Sequence, residues 1–311
     1  MIIQHRKKAF IISGVLILAA LFSMAYHMVV THPGSLGLNL GEDFVGGTVL
    51  EMNLGEEFEV DEVREILQAH GQEGASVQRV MVEEDDGELV EEGVLIKTGI
   101  MGEDARDDLV DSFRERWEVP AEETRIESVG AAVGAEQRRT AIIAVAVALV
   151  GMVAYITFRF EFNFAIAAIA ALVHDVLIVL GIFSLLQLEL NEPFVAALLT
   201  IVGYSVNDSI VIIDRIRENI RYRSKKEYPE VVNHSIMQNL TRSINTSFTT
   251  LLVLAALMVG FYVYVGSFDL IVFVIAMIIG VIVGTYSSIF IASPLWLTLK
   301  ERQFRKAAQG Q

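Results

Sequence analysis

Gly203-Tyr204-Ser205-Val206-Asn207-Asp208-Ser209 interrupts the apolar run Val195–Ile213. The run reads as a membrane-spanning helix, since a span needs about 20 predominantly apolar residues. An Asp at the centre of such a helix costs about 2.5–3.5 kcal/mol on insertion scales, so Asp208 is expected to face a bundle interior and find a partner there. One stretch thus sets two expectations, a helical membrane bundle and a polar transport pathway inside it.

Five further runs meet the same length and composition, Phe10–Val30, Thr140–Phe158, Phe164–Gln187, Phe248–Val265 and Leu270–Leu299, so six transmembrane helices are predicted. A chain of 311 residues with 53% hydrophobic content and mean hydropathy +0.49 is too apolar for an ordinary soluble domain. The first run follows His5-Arg6-Lys7-Lys8 as a signal peptide would, but its apolar core exceeds the roughly 7–15 residues of a signal h-region and is read as a retained anchor. Basic residues collect at the amino terminus, at Arg159, over Arg215–Lys226 and over Lys300–Lys306, whereas the loops at Glu189–Glu192 and Asp269 carry acids only. By the positive-inside rule both termini are expected in the cytoplasm. The expected organisation is a cytoplasmic terminus 1–9, a first span 10–30, an outer domain 31–138, a five-helix bundle 139–299 with a cytoplasmic loop 214–241, and a cytoplasmic tail 300–311. With no Cys in the chain, disulfides, thiolate catalysis and Cys-based metal sites are excluded, and the six His show no ligand spacing. No cofactor and no metal are expected.

The segment between the first two spans reads as a soluble α+β module. Phe44–Met52 is strand-like, Val60–His70 carries Val60, Val63, Ile66 and Leu67 at helical spacing, and Ser76–Val82 and Gly93–Thr98 flank a turn at Glu84–Glu88. Asp104–Trp117 places Leu109, Phe113 and Trp117 on one stripe before Pro120, and Thr124–Val129 supplies a last strand. The order βαββαβ is that of the ferredoxin-like split βαβ arrangement, with two helices on one face of a four-stranded sheet. Between Thr31 and Arg138 stand 28 acids against 8 bases, while the rest of the chain is net positive. Such a surface is either an ordinary solvated face or an adaptation to high salt; its sign argues against nucleic acid as a partner of this domain.

Several motifs carry candidate chemistry. His174-Asp175 lies mid-run in the third span, roughly 16 Å from its cytoplasmic start at 1.5 Å per residue, either as an interhelical packing bond or as a second pathway acid. On the fourth span Tyr204, Asp208, Ile212 and Arg215 share a face, beside Ser205 and Asn207. Asp214 and Arg215 continue that helix into the cytoplasm, as local ion pairs or as pathway residues. Thr241-Arg242-Ser243-Ile244-Asn245-Thr246-Ser247-Phe248-Thr249-Thr250 brings hydroxyls to the start of the fifth span, following a stretch, Val231–Leu240, expected to lie along the interface as an amphipathic helix. Arg242 reads as a snorkelling interfacial residue or as a counter-ion for a buried acid: a nearby cation favours the charged carboxylate and burial the neutral one, which is what a proton relay requires. Gly280-Val281-Ile282-Val283-Gly284 matches a close-packing signature. Gly41–Thr48, with paired glycines, marks a bulge or close backbone approach and lacks the spacing of a phosphate loop.

Taken together these residues resemble the SecF family of protein-export membrane subunits: Gly41–Thr48 resembles its Gly-x-Asp-Phe-x-Gly-Gly box, and Gly203–Asn219 with Thr241–Thr250 resembles its membrane signatures. The resemblance implies a subunit that pairs with SecD, each giving six helices to an assembly similar to resistance-nodulation-division transporters. It implies work beside the Sec translocon, a SecYE-type channel, in which a proton gradient, or sodium in some members, drives outer-domain movements that draw an exported unfolded polypeptide across the lipid bilayer. By the same resemblance Asp208 and Arg242 match an essential Asp and Arg. Asp175 and Asn207 join them as ion-coupling candidates, Tyr204, Ser205, Asp214, Arg215, Thr246 and Thr250 as relay or support, and Asp43, Phe44, Gly46 and Gly47 as the outer-domain box. Val45 and Ser243 depart from the family pattern, each replacing a usual Thr. The acidic outer domain and the preference for Arg over Lys suit a haloarchaeon, where no SecA motor is expected.

Three alternatives belong to other classes. A passive scaffold for the translocon would use Asp208 and Arg242 as a structural ion pair. An independent small-molecule or lipid exporter would need a larger outer domain with a substrate pocket. An intramembrane hydrolase would need a catalytic constellation, and Asp175 with Asp208 sits in no aspartyl-protease motif; the chain is not expected to be an enzyme.

Overall fold

The computed structural model describes residues 2–31, 35–83, 89–117, 119, 124–221, 224, 227–265 and 267–309. Its elements in chain order are α1 (Arg6–Val30), β1 (Gly47–Asn53), α2 (Val60–Ala69), β2 (Ser76–Glu83), β3 (Leu89–Thr98), α3 (Glu103–Trp117), β4 (Thr124–Val129), α4 (Ala131–Arg159), α5 (Phe162–Leu186), α6 (Glu192–Ile220), α7 (Tyr228–Gly260), α8 (Phe268–Ser287) and α9 (Ser293–Gln309). Among the described residues six helical segments are long and apolar enough to cross a membrane: Ile3–Val30, Ala131–Arg159, Phe162–Leu186, Glu192–Ile220, Tyr228–Val263 and Phe268–Lys306. The exit at His32-Pro33-Gly34, the turn expected at Glu84–Glu88, the helix stop at Pro120 and part of the Tyr222–Glu230 connection lie outside the described residues. The chain divides into two compact units.

The first unit comprises Met1–Asn39, Ala144–Ala255 and Val272–Gln311. Its helices start and stop where local chemistry dictates. The side chain of Asn191 caps α6 by accepting from the Phe194 N–H at 3.0 Å, with Pro193 in the first turn, and α5 ends on Gln187 in the left-handed region at φ 53. In hydrocarbon, helices associate through small residues and interhelical hydrogen bonds, and both are used here. A Cβ built on Gly181 of α5 would lie 2.1 Å from the Cβ of Ala20 on α1, and the Ser23 and Ser184 hydroxyls bond at 3.1 Å between the same two helices. Gly280 and Gly284 let α8 approach α6 at Ile201 and Ser205. A cluster around Phe164, Val202, Ile212, Ile213, Ile289 and Trp296 fills the unit's interior, with Phe164 stacked on Trp296 at 4.4 Å.

Two membrane elements differ from the sequence expectation. Val231–Leu240 is not a separate interfacial helix but the first part of α7, which runs unbroken through the polar stretch Thr241–Thr250. The reason is local: Thr246 Oγ1 donates to the Arg242 carbonyl at 2.8 Å, and Thr249 and Thr250 each donate to the Thr246 carbonyl at 2.9 Å, so these hydroxyls are satisfied by their own helix. The apolar run Leu270–Leu299 is not one regular helix either, because α8 passes through a π-helical turn at Ser288–Ala292 before α9 begins.

The second unit comprises Leu40–Ile143 and Ala256–Ile271. Its strands form an antiparallel sheet in the order β2-β3-β1-β4, with Leu50 opposite Ile96 and Met52 opposite Val94 across the β1–β3 pair. Strand alternation sends Leu50, Met52, Val94 and Ile96 to one side, where they meet Val63 and Leu67 of α2 and Leu109, Val110, Phe113 and Trp117 of α3. Each of these fully buried side chains contributes about 1.5–3 kcal/mol of transfer free energy, which is what lets so acidic a module hold a core. Phe44 and Val45, expected at the start of a strand, instead close a single helical turn, Glu42–Val45, that precedes β1. The turn is forced by Gly46 at φ +84, whose missing side chain leaves room for the Val129 carbonyl and Ala131.

Candidate functional site

The polar centre of the first unit is assembled from four helices. On α5, Asp175 is fully buried; Ser205 Oγ of α6 donates to its Oδ2 at 2.5 Å and Ser287 Oγ of α8 to the same oxygen at 2.7 Å, while His174 Nδ1 lies 2.8 Å from Oδ1. Asp208 stands one turn beyond Ser205 on α6. Ser243 Oγ of α7 donates to its Oδ1 at 2.7 Å, and Ser288 Oγ donates to its Oδ2. A separate string of hydroxyls lies beside it: Tyr204 Oη bonds Ser247 Oγ at 3.1 Å, and Ser247 Oγ bonds Thr285 Oγ1 at 2.5 Å. Ser205, Ser243, Ser247, Ser287 and Ser288 are all buried.

His174 is buried beside this centre, its ring facing Tyr286 at 6.1 Å between centroids, and its Nε2 has no hydrogen-bond partner among the described residues. Tyr286 Oη in turn meets Ser13 Oγ of α1 at 3.2 Å.

The predicted residues do not all converge. Asp208, Asp175, Ser205 and Tyr204 belong to the centre. Arg242, although adjacent to Ser243, is exposed and makes no ion pair with Asp208 among the described residues. It lines an open cleft with Val211, Asp214, Arg215, Glu218 and Gln238, in which Arg215 pairs with Glu218 at 2.5 Å and donates to Gln238 at 2.7 Å. Asn207 is exposed, and Thr246 and Thr250 serve their own helix. The box residues Asp43, Phe44, Gly46 and Gly47 belong to the second unit: Phe44 is buried, and a Cβ on Gly47 would lie 2.7 Å from the Thr98 carbonyl oxygen. The same unit holds a buried cation that the sequence reading missed, Lys97, whose Nζ lies 3.4 Å from Glu42 and 3.4 Å from Asp269. Also missed were Thr285, Ser287 and Ser288; the signal was available, since Thr285-Tyr286-Ser287-Ser288 is a polar interruption of an otherwise apolar run.

Chemically, a carboxylate surrounded by hydroxyls differs from one paired with a guanidinium. A hydroxyl donates to a carboxylate and accepts from a carboxylic acid, so it satisfies both protonation states, whereas Arg has donors only and suits the charged one. Among the described residues no group of three or more His, Asp or Glu is placed to hold a metal ion.

Six spans, a polar centre holding the buried Asp175 and the half-buried Asp208, and a small α+β module define a multi-pass membrane protein with a polar interior. A family model described as protein export membrane protein SecD/SecF, C-terminal, matches residues 110–302. The chain is 38% identical over 306 residues to the protein translocase subunit SecF of Desulfurispirillum indicum, covering 96% of this chain and 90% of that one. It is 41% identical over 274 residues to the protein translocase subunit SecDF of Thermus thermophilus, covering 88% of this chain and 36% of that one. The crystal structure of the Thermus SecDF, a translocon-associated membrane protein, matches with a TM-score of 0.77 at 37% identity, over 95% of this chain and 38% of that chain. The chain belongs to the SecD/SecF family of protein export membrane proteins, as a SecF-type translocase subunit.

Proposed function

We propose that this chain couples an ion gradient, by preference of protons, to protein export, with Asp208 as the residue that binds and releases the ion. The observation that carries the reading is the set of donors on Asp208: Ser243 at 2.7 Å and Ser288, both hydroxyls able to serve the charged and the neutral acid. Asp175, with its own hydroxyl shell, is a second ion-coupling candidate, and Arg242, in the open cleft, and the exposed Asn207 are retained as further candidates. One proton crossing 100 mV is worth about 2.3 kcal/mol, so several ions per cycle are needed to drive a large domain movement. Asp208→Asn is expected to abolish gradient-dependent export in energised vesicles while leaving the subunit inserted and paired; wild-type export by that variant would remove Asp208 from the mechanism.

The partners follow from the relatives. SecDF of Thermus carries in one chain what we propose is here completed by a separate SecD, beside a SecYE-type channel and its unfolded cargo. Support comes from α4 and α7, which leave Ile142, Val147, Val150, Phe248, Leu252 and Val253 exposed in the isolated chain and require lipid or a helical partner against them. The passive-scaffold alternative rests on an Asp208–Arg242 ion pair, and none forms among the described residues. The termini are assigned to the cytoplasm from the distribution of basic residues, and residues 31–138 to the outside. The module is read as ferredoxin-like, on the strength of a sheet order that puts β1 between β3 and β4. Its acidity is read as adaptation to a salt-rich cell. The relatives named above are bacterial; a haloarchaeal source is proposed from the acidic outer domain and the preference for Arg over Lys.

A further inference from the structure

We infer that Ser287 and Ser288 form a hydroxyl switch that makes the protonation of Asp175 depend on that of Asp208. The inference rests on the reading of Asp208 as an ion-binding acid, and adds to it the device by which a second acid senses that event.

Ser287 and Ser288 are consecutive, and consecutive helical residues point about 100° apart. Ser287 therefore reaches Asp175 on α5 at 2.7 Å while its neighbour reaches Asp208 on α6. They sit where α8 passes into the π-helical turn Ser288–Ala292. Such turns replace the usual hydrogen-bond ladder with i→i+5 bonds and recur at functional sites.

Each hydroxyl has one proton and two acceptors. Ser287 Oγ lies 2.7 Å from Asp175 Oδ2 and 3.2 Å from the Gly284 carbonyl oxygen. Ser288 Oγ faces Asp208 Oδ2 and lies 3.1 Å from the Thr285 carbonyl oxygen. When an acid is charged, its serine donates to it. When the acid gains a proton, the serine turns its own proton to the helix carbonyl and accepts from the acid. Gly284 and Thr285 are adjacent residues of one helical turn, so a change in how one carbonyl is bonded is felt at the other. Among the described residues the titratable groups of this seam are His174 and Asp175 on α5, Tyr204 and Asp208 on α6, and Tyr286 on α8; Arg242 on α7 is exposed.

Ser287 and Ser288 are thus positioning residues, and their test reads proton affinity. The full chain in liposomes is titrated by infrared spectroscopy, following the carboxyl band of Asp175 identified by its loss in Asp175→Asn. Asp208→Asn is expected to shift the proton affinity of Asp175 by about tenfold, the coupling at which two titrations cease to be independent. In a Ser288→Ala background the same substitution is expected to leave Asp175 unmoved, and Ser288→Thr to restore the shift. Ser288→Ala leaves every donor to Asp175 in place, and Ser287→Ala serves as the mirror variant should it fail to insert. An undiminished shift in Ser288→Ala, or in Ser287→Ala where that variant takes its place, or no shift in the wild type, overturns the inference. Export by Asp208→Asn is scored separately, so wild-type export with the coupling intact overturns the ion-coupling reading and not this one.

Discussion

Gly181→Ala is expected to weaken the packing of α1 on α5 out of proportion to one methyl group. The added Cβ would lie 2.1 Å from Ala20 Cβ and 2.7 Å from Ala20 Cα. Carbon atoms prefer about 3.5–4.0 Å, so the helices must part by about 1.5 Å at this point. Overpacking of this kind costs about 1–3 kcal/mol. The Ser23–Ser184 bond, now 3.1 Å and one helical turn away, is stretched beyond hydrogen-bonding range; an interhelical bond in a membrane averages about 0.6 kcal/mol. The sum is roughly 2–4 kcal/mol, read as a shift in the unfolding free energy of the purified chain in a mixed-micelle denaturation assay. Ala20→Gly in the same chain removes the closest contact but leaves the one to the Cα, so rescue should be partial and the double-mutant cycle non-additive. Wild-type stability of Gly181→Ala, or simple additivity of the two substitutions, would refute the contact.

Two further outcomes concern the second unit. The Lys97 side chain is only 5% exposed and pairs with Glu42 and with the more exposed Asp269; Lys97→Met keeps the stem and removes the cation from both pairs, at a loss of about 3 kcal/mol, the low end for breaking a buried pair. Limited proteolysis of the full chain should then cut the module far sooner than in Lys97→Arg, and equal lifetimes would show that the pair contributes nothing. With 28 acids against 8 bases between Thr31 and Arg138, self-repulsion should fall as the Debye length shrinks from about 30 Å at 0.01 M to about 3 Å at 1 M salt; a thermal midpoint of the module that does not rise over this range argues against the salt-adapted reading.

Periodicity and apolar length are short-range properties of the chain, and what depends on them alone could be read directly: the six spans, the helices at Val60 and Asp104, and the strands at Ser76 and Thr124. What depends on a partner distant in sequence could not. Nothing near Ser287 or Ser288 announces that Asp175 and Asp208 stand opposite, because those contacts span 112 and 80 residues. Lys97 reads as an ordinary polar residue on a strand until Asp269, 172 residues away, is brought beside it. Arg242 misled in the opposite direction. Its position next to Ser243 is legible, but which of two neighbouring side chains faces α6 is set by helix rotation, and rotation puts the serine inward.

That rotation bears on how the Gly280/Gly284 pair should be understood. The sequence pattern alone says close packing. In the structure a Cβ on Gly284 would meet Ser205 Cβ at 3.2 Å, and Ser205 is itself a donor to Asp175. One turn further on stand Ser287, the last residue of α8, and Ser288, the first of the π-helical turn, whose hydroxyls reach the two acids. The distance between α6 and α8 is therefore fixed by a glycine immediately beside the bonds that depend on it. A hydrogen bond weakens steeply once donor and acceptor move a few tenths of an ångström beyond their normal range, so a side chain at position 284 would loosen both carboxylate shells together. The small-residue motif and the polar centre are one construction: the first sets the spacing at which serine, the shortest side chain bearing a hydroxyl, can touch acids on two different helices.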